Sequence, residues 1–424
     1  MTYAETLAHI YALGRFGIKP GLSRITRLLA ALGNPQDAFA AVHVVGTNGK
    51  GSTASFLSSI LGAGGYATGL FTSPHLISFT ERIRIDAAEI AQEDVSRLAE
   101  RVMAAAPQES TFFEIVTALA ALHFAEKGVQ IAIFEAGMGG RLDATNALGG
   151  ILSVITPVSL DHTDYLGSSI EEIAAEKAGI CKEGTALVSA RQHPDAERAI
   201  CRHAAETGCR LYRCGEDFDA FWQDGRLNYR GIGLALDSLS TGLSGRYQSG
   251  NAALALAAAE LLGRSGFPLA AEAMVAGVAR ASWPGRMELF PGPPRVLLDG
   301  AHNPAGAAAL AEALLEIPRG RLLLVAGVMA DKELSGILAP LLPQVDQVFA
   351  VVPAIERALP AAQLALFCRR AGVGAKEAGS VAQGIALAQS AAAADDLILV
   401  CGSLFTVGEA RSILQSRSFE PFRG

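Results

Sequence analysis

The sequence has few charged residues, no dense group of cysteines and no long apolar segment. Of its 424 residues, 18% are charged, and the formal net charge of −7 gives no reason to expect a basic face for nucleic acid. The six cysteines include no C-x-x-C pair, so we expect reduced, structural thiols. The first residues lack the basic and apolar segments of a signal peptide, and no apolar run is as long as a membrane span. We therefore expect a cytoplasmic protein with no nucleic-acid or membrane partner.

The composition and the periodicity of the chain predict an α/β protein of two domains. Half of the residues are hydrophobic and 45 are glycine, as in compact α/β enzymes. Apolar strands alternate with helical segments on both sides of a Pro- and Gly-rich stretch at residues 283–294. We predict a mostly parallel sheet domain with a phosphate-binding loop at residues 1–287 and a smaller Rossmann-like α/β domain at residues 288–424. Within the first domain, short Gly-, Asp- and aromatic-rich segments at residues 209–243 predict small antiparallel strands.

A glycine-rich turn joins a predicted strand at residues 42–45 to a predicted helix. Such a turn directs backbone N–H groups and the positive end of the helix dipole at one point, which suits phosphate oxygens. Lys50 would reach the terminal phosphates and Ser52 would bind magnesium. The glycine spacing differs from the usual G-x-x-x-x-G-K-[ST] pattern, so a tight turn with a solvated lysine is the alternative. The candidate nucleotide-binding residues of the turn are Gly46, Thr47, Asn48, Gly49, Lys50, Gly51, Ser52 and Thr53.

Other polar residues stand at the predicted C-terminal ends of apolar strands. Ser73 and His162 each follow an apolar run, and Glu135 ends one. Because ligands of parallel sheets bind at this edge, we expect these residues to lie near Lys50. Glu135 is a candidate magnesium ligand, since Mg²⁺ prefers hard oxygen donors, and a neutral His162 is a candidate metal ligand. A capping acid and an ordinary loop histidine are the structural alternatives.

In the second domain, Asp299 and His302 directly follow an apolar run and so stand at another C-terminal strand edge. Arg286 follows a Pro-Gly pair, and its planar guanidinium suits a phosphate or a carboxylate. All three would face the nucleotide if the second domain closes over the first. The alternative is that Asp299 caps a helix opened by Pro304.

Six segments lie in order along nearly the whole chain, at residues 46–52, 72–76, 135–146, 160–167, 176–180 and 299–304. Together they resemble the folylpolyglutamate synthase and dihydrofolate synthase family of the Mur ligase superfamily. The unusual phosphate loop is the form shared by that superfamily. The resemblance implies an ATP-binding domain at residues 1–287, a glutamate ligase domain at residues 288–424, and an ATP-dependent acid–amino-acid ligase. A pteroate or folate carboxylate would accept the γ-phosphoryl group, and the amine of L-glutamate would then displace phosphate.

The resemblance also assigns residues to roles. It implies the catalytic residues Lys50, His162 and Lys177, the metal ligands Ser52, Ser73, Glu135 and His162, and the further nucleotide contacts Asn251, Arg286, Asp299 and His302. Lys177 matches a lysine that is carbamylated in the family, whereas its spacing alone would indicate only a surface helix lysine. Asp331 and Lys332 look like a signature of the family's second domain. Tyr247 departs from the pattern, because we expect histidine there.

From the resemblance we expect ATP and Mg²⁺ as cofactors, and dihydropteroate or a reduced folate together with L-glutamate as substrates. We expect a monomer that combines both synthase activities in folate biosynthesis and one-carbon metabolism. Two alternatives stay open. One is a Mur-type peptidoglycan ligase, although such ligases normally have an N-terminal domain for their acceptor and only 45 residues precede the phosphate loop. The other is a nucleotide-binding protein without ligase activity.

Overall fold

The structure is a computed structural model that describes residues 1–17 and 19–420. The part before residue 288 contains the helices and strands α1 (Tyr3–Ala12), α2 (Ser23–Ala31), β1 (Ala40–Val45), α3 (Lys50–Ala63), β2 (Thr68–Phe71), β3 (Ile83–Ile85), β4 (Ala88–Glu89), α4 (Gln92–Ala105), α5 (Phe112–Glu126), β5 (Ile131–Glu135), β6 (Gly150–Ile155), α6 (Thr163–Leu166), α7 (Ile170–Ala178), β7 (Ala186–Ser189), α8 (Pro194–Thr207), β8 (Arg210–Arg213), β9 (Asp219–Gln223), β10 (Arg226–Arg230), β11 (Ala235–Leu239), α9 (Gln248–Gly263) and α10 (Ala271–Arg280). None of the described helices is long and apolar enough to cross a membrane.

The strands of this part form a large sheet and a small one. Within the described residues the large sheet has the order β4-β3-β2-β5-β1-β6-β7-β8, and all neighbours from β2 to β8 are parallel. Only β3 and β4 run antiparallel to their neighbours, at one edge. The small sheet, β11-β10-β9, is antiparallel. The order places the C-terminal ends of β2, β5, β1 and β6 side by side.

Both faces of the large sheet are covered because its central strands are apolar along nearly their whole length. On one face α3 and α9 pack over the strands and α10 packs against α3, with Phe56 and Ile60 in the core. On the other face the core includes Phe71, Phe124 and Phe134 together with residues of α1, α2, α4 and α5. The doubly covered parallel sheet leaves the C-terminal strand edge as the place where a ligand can bind.

The second part contains the elements β12 (Glu288–Phe290), β13 (Arg295–Leu298), α11 (Pro304–Leu314), β14 (Leu322–Ala326), α12 (Leu334–Leu338), β15 (Gln347–Val352), α13 (Ala361–Arg370), β16 (Gly374–Ser380), α14 (Val381–Ala391), β17 (Leu397–Cys401) and α15 (Leu404–Leu414). Its sheet has the order β12-β13-β17-β14-β15-β16 and is parallel except for β12. The two parallel-rich sheets confirm the predicted fold class. The division of the chain at residues 287 and 288 remains our proposal.

The structure corrects two expectations. β8 lies in the stretch predicted to form small antiparallel strands, yet it runs parallel to β7 at the edge of the large sheet. Cys181 and Cys209 form a disulfide, so the expectation of reduced thiols is wrong for this pair. Cys201, Cys214, Cys368 and Cys401 are free.

Candidate active site

The predicted phosphate-binding loop lies between β1 and α3 and depends on two glycines with positive φ. Gly46 has φ 145°, and a Cβ there would lie 1.9 Å from Thr156 Oγ1. Gly49 has φ 87° immediately before α3, and a Cβ there would lie 2.3 Å from Asn251 Oδ1. A larger residue at either position would be strained and would also clash. The loop therefore packs tightly at the N-terminus of α3, where backbone N–H groups suit an anion.

Hydrogen bonds to the neighbouring strand connection hold this loop in place. The backbone N–H of Thr47 donates to Pro157 O at 3.0 Å. Thr47 Oγ1 donates to Ser159 O at 3.1 Å and accepts from Ser159 N at 3.1 Å. The side chain of Thr47 therefore anchors the loop. The backbone of the loop faces the cavity.

Two lysine side chains meet at one carbonyl oxygen of the loop. Lys177 Nζ donates to Gly46 O at 2.8 Å, and Lys50 Nζ donates to Gly46 O at 3.3 Å and to Thr47 O at 3.2 Å. Lys177 is only 4% exposed, so the alternative of a surface helix lysine is wrong. Burial, and next the charge of Lys50, lowers the pKa of Lys177 to about 7. A substantial fraction of this amine is therefore neutral at neutral pH.

Glu135 and Ser73 come together because β5 and β2 are adjacent. Glu135 is 6% exposed, and its Oε2 accepts a hydrogen bond from Ser73 N at 3.2 Å. Burial raises the pKa of Glu135, and the charge of Lys50 opposes this shift. A buried carboxylate that faces a phosphate-binding loop is better suited to a cation than to solvent.

The donor set of the cavity fits a divalent cation that also binds phosphate. Glu135, Ser52 and Ser73 offer hard oxygen atoms along the same cavity. Within residues 1–17 and 19–420 no group of three or more His, Cys, Asp or Glu side chains is arranged to hold a metal ion. A cation here would therefore depend on phosphate oxygens and water for the rest of its coordination, which is the usual mode of Mg²⁺.

Helix α9 supports the loop from behind. Gln248 Nε2 lies 3.5 Å from Ser52 Oγ, and Asn251 Nδ2 donates to Gln248 Oε1 at 2.7 Å. Thr53 Oγ1 donates to Asn251 Oδ1 at 3.4 Å and is fully buried. The side chain of Thr53, predicted to bind nucleotide, therefore packs against α9, and Thr53 does not line the cavity.

His162 is the N-cap residue of the short helix α6 beyond β6, and its side chain is 49% exposed at the cavity rim. Its Nε2 lies 4.0 Å from Asp161 Oδ2. Asp161 Oδ1 forms an ion pair with Lys332 Nζ at 3.0 Å, which joins the two parts of the chain. Although burial opposes it, His162 and Lys332 lower the pKa of Asp161 to about 2, so this acid is ionised.

The second part of the chain contributes Asp299 and His302 after β13. Asp299 accepts hydrogen bonds from Met287 N at 3.0 Å and Ala301 N at 2.9 Å, while Tyr247 OH lies 3.4 Å from its Oδ2. Burial raises the pKa of Asp299. The residue that caps α11 is Asn303, so the alternative that Asp299 is the cap is wrong.

His302 and Arg286 line the same cavity. His302 Nδ1 lies 2.8 Å from Gly300 O, which places the proton on Nδ1 and leaves Nε2 as an acceptor. Burial lowers the pKa of His302 to about 4, so its ring is neutral at pH 7. Gly300 leaves room for the Arg286 side chain, because a Cβ there would lie 2.1 Å from Arg286 Nη1 and displace it. The neutral ring suits hydrogen bonding to a ligand, and the guanidinium suits an anion.

A reciprocal pair of amides connects the phosphate loop to α11. Asn303 Nδ2 donates to Asn48 Oδ1 at 2.9 Å, and Asn48 Nδ2 donates to Asn303 Oδ1 at 3.2 Å. Asn303 Oδ1 also accepts from Gly306 N at 2.9 Å as the N-cap of α11. This contact was not predicted. Both asparagines stand in the motifs that carried the resemblance, but nothing in either motif indicates that they meet.

The predicted site residues converge on one cavity of about 380 Å³ between the two large sheets. Those that line it are Gly46, Thr47, Asn48, Gly49, Lys50, Gly51, Ser52, Ser73, Glu135, His162, Lys177, Asn251, Arg286, Asp299 and His302. Tyr247 also lines it, at the position where histidine was expected. The walls carry Lys50, Lys177 and Arg286 together with the buried carboxylates of Glu135 and Asp299. The arrangement suits a polyphosphate, a cation and a carboxylate substrate together.

Comparison with protein families gives matches over most of the chain. Residues 44–259 match the Mur ligase middle domain, and residues 285–404 match the Mur ligase glutamate ligase domain. The chain is 36% identical to the dihydrofolate synthase/folylpolyglutamate synthase of Bacillus subtilis, with 97% of this chain and 99% of that protein covered. It is 39% identical to a probable bifunctional folylpolyglutamate synthase/dihydropteroate synthase of Halobacterium salinarum over 97% of this chain. The chain spans only 52% of the length of that second relative.

Solved structures have the same fold. Escherichia coli FolC in complex with DHPP and ADP superposes with a TM-score of 0.91 at 34% identity, covering 98% of each chain. The bifunctional folylpolyglutamate synthase/dihydrofolate synthase from Yersinia pestis, complexed with AMPPNP and Mn ion, superposes with a TM-score of 0.89 at 33% identity, again covering 98% of each chain.

Proposed function

The chain belongs to the dihydrofolate synthase/folylpolyglutamate synthase family of Mur ligases, and from this premise we propose how its residues act. It is an ATP-dependent ligase of folate metabolism that joins L-glutamate to a pteroate or folate carboxylate. The observation that carries the assignment is the single cavity that contains a phosphate loop, a buried carboxylate and a buried lysine. Such a cavity can phosphorylate a carboxylate, because phosphoryl transfer depends on positioning and on nearby positive charge.

The first domain would hold the triphosphate and the cation. The loop amides and Lys50 would bind the phosphates, since Lys50 would exchange two carbonyl acceptors at 3.3 and 3.2 Å for charged oxygens. Ser52, Glu135 and Ser73 would hold a magnesium ion, with His162 at the rim. When bound, this cation neutralises charge that develops on the transferred phosphoryl group.

Lys177 would become a carbamate. Its neutral amine would add to carbon dioxide with loss of one proton, which forms an N–C bond and creates a carboxylate. The lowered pKa of about 7 and the burial of Nζ beside the loop support this role, because only the neutral amine reacts. The product would add a hard oxygen ligand beside Glu135, in a site that has few protein carboxylates.

The second domain would complete the nucleotide site. His302, neutral with a free Nε2, and Asp299 suit hydrogen bonds to the sugar and base, whereas Arg286 suits the negative charge of the acyl phosphate. Tyr247 contributes to this part of the nucleotide site, because its hydroxyl lies 3.4 Å from Asp299 Oδ2. The amine of L-glutamate would attack the acyl carbon, form the amide and release phosphate.

Product analysis with ATP, magnesium and L-glutamate tests the proposal. Dihydropteroate and a reduced folate monoglutamate are supplied in separate reactions. We propose a bifunctional enzyme, and expect ADP, phosphate and a product heavier by one glutamate residue from each acceptor. If only one acceptor gives a product, the enzyme has only the synthase activity that uses that acceptor. ATP binding without product from either acceptor indicates a nucleotide-binding protein, and product only from a UDP-linked acceptor indicates a peptidoglycan ligase.

Substitution of two cavity residues tests the mechanism. We expect Lys50→Ala and Glu135→Ala each to lower turnover by about a hundredfold or more, since Lys50 would stabilise the charge of the transferred phosphoryl group and Glu135 would hold the cation that does the same. Lys127→Ala is a matched control, because Lys127 lies on the surface and pairs with Asp94 at 3.1 Å. Thermal unfolding of all three should resemble the wild type. Near-normal ligation by either cavity variant contradicts the assignment.

A further inference from the structure

A small recess opens beside the cavity, on the side of β2 and β3. Its volume is about 50 Å³, which is enough for about four water molecules and therefore for a carboxylate group. The recess and the cavity share Ser73, Glu135 and Arg286, so a ligand group in the recess lies next to the proposed site of phosphoryl transfer. The recess is further lined by Arg84 and Trp283.

Arg84 lacks a partner for a buried donor. Within residues 1–17 and 19–420, its Nε is buried and has no hydrogen-bond acceptor. The guanidinium lies over the Trp283 ring, 5.5 Å from its centre, which is within cation–π range. A buried N–H donor without an acceptor is costly, and a guanidinium matches a carboxylate with two parallel hydrogen bonds. The Arg84 side chain is therefore suited to binding an anionic ligand.

The acids near Arg84 already have other partners. Glu81, which also lines the recess, accepts from Leu76 N at 2.8 Å and from Ile77 N at 3.3 Å. Glu89 accepts from Thr80 Oγ1 at 2.5 Å. Both carboxylates accept from other donors and neither accepts from Arg84 Nε, so the guanidinium at the recess is available to an anionic ligand.

We propose that Arg84 binds the α-carboxylate of a glutamate unit in this recess. The proposal rests on the ligase function above, which supplies two such units: the incoming amino acid, and the terminal glutamate of a folate acceptor. Either would place its reacting group toward Glu135 and Arg286, at the junction of recess and cavity. Arg84 is thus a substrate-binding residue of the ligation step, outside the motifs that identified the site.

Steady-state kinetics of Arg84→Gln tests this proposal and distinguishes the two sources. Dihydropteroate has no α-carboxylate, whereas a folate monoglutamate has one. If Arg84 binds the incoming amino acid, the KM for L-glutamate rises about ten- to a hundredfold with both acceptors. If it binds the acceptor, the KM for the folate monoglutamate rises to that extent while the KM for dihydropteroate does not. In both cases kcat and the KM for ATP stay within about threefold of the wild type.

The proposal is overturned if all substrate KM values of Arg84→Gln stay within about twofold of the wild type, or if only kcat falls. A wild-type enzyme that makes no product overturns the ligase assignment itself, so the two failures are distinguishable. If Arg84→Gln does not fold, Arg84→Lys is the replacement variant, because it keeps the positive charge and loses only the planar guanidinium. It should show a smaller rise in the same KM.

Arg210→Gln is the matched control. The Arg210 guanidinium also lies over an aromatic ring, 5.0 Å from the centre of Tyr212, but Arg210 is exposed and does not line the recess. Its KM values should equal those of the wild type. As a second readout, 4-aminobutanoate lacks the α-carboxylate of glutamate. If Arg84 binds the incoming amino acid, the wild type should prefer glutamate over this analogue much more strongly than Arg84→Gln does.

Discussion

The amide pair between Asn48 and Asn303 should control closure of the two domains over the nucleotide. Asn303→Ser removes both interdomain hydrogen bonds, because a hydroxyl on the shorter side chain cannot replace the amide. Serine is as good an N-cap as asparagine, so the cap that Asn303 provides to Gly306 N is retained. The substitution therefore separates the interdomain contact from the stability of α11.

The two bonds, at 2.9 and 3.2 Å, set the expected size of the effect. A neutral hydrogen bond contributes about 1 kcal/mol net, so the pair contributes about 2 kcal/mol to the closed arrangement. Since about 1.4 kcal/mol corresponds to a tenfold change in rate, kcat/KM for ATP should fall about 30-fold. Asn48→Ala removes the same two bonds and should have an effect of at least similar size.

A double-mutant cycle measures the coupling. If the pair acts as one unit, Asn48→Ala/Asn303→Ser is hardly more impaired than the worse single variant, which corresponds to a coupling energy of about 2 kcal/mol. Effects that multiply, with kcat/KM about 1,000-fold down in the double variant, refute the reasoning. Ser380→Ala is the control: Ser380 caps α14 by accepting from Gln383 N at 3.3 Å, and its loss should reduce stability without changing kcat/KM.

Three further predictions concern other contacts of the site. Because burial lowers the pKa of Lys177 to about 7, turnover in bicarbonate buffer should rise as pH increases through 7, and Lys177→Met should be inactive at every pH. The 3.0 Å pair of Lys332 and Asp161 is partly exposed, so Lys332→Ala should lower kcat/KM for ATP a few-fold at low salt and make it less sensitive to added salt than in the wild type. Glu420 accepts from Phe79 N at 2.8 Å, which ties the end of the described chain to the first domain, so Glu420→Ala should speed limited proteolysis of the C-terminal segment.

The sequence predicted the features that depend on local patterns. The glycines of the phosphate loop, the apolar strands and the polar residues at their ends all lie within short segments, and a parallel sheet brings such ends together. Strand β16 shows the limit of this reasoning. It is an edge strand whose side chains are mostly exposed, so it has no apolar pattern to find. The disulfide between Cys181 and Cys209 likewise depends on three-dimensional distance and not on spacing.

The contacts between domains could not be predicted because they depend on how two folded units are placed. Asn48 and Asn303 are 255 residues apart. From the sequence, Asn48 is accounted for as a loop residue and Asn303 as a helix cap, so neither position suggests a contact with the other. Arg84 lies in the short strand β3, next to the edge strand β4, and its unpaired Nε is visible only once Trp283 and the recess are in place. Sequence motifs therefore predicted the residues that we propose for phosphate and metal, whereas the residues that we propose for domain closure and for the substrate carboxylate required the structure.

The meeting of two lysines at Gly46 O has a consequence for the order of events. Burial, and next the charge of Lys50, lowers the pKa of Lys177 to about 7, and Lys177 can form a carbamate only as the neutral amine. A bound triphosphate brings several negative charges close to both lysines and raises that pKa, which favours the unreactive ammonium form. If Lys177 is carbamylated, the reaction is therefore easier before the nucleotide binds than after it. The new carboxylate is then already in place when the nucleotide and its cation reach the cavity.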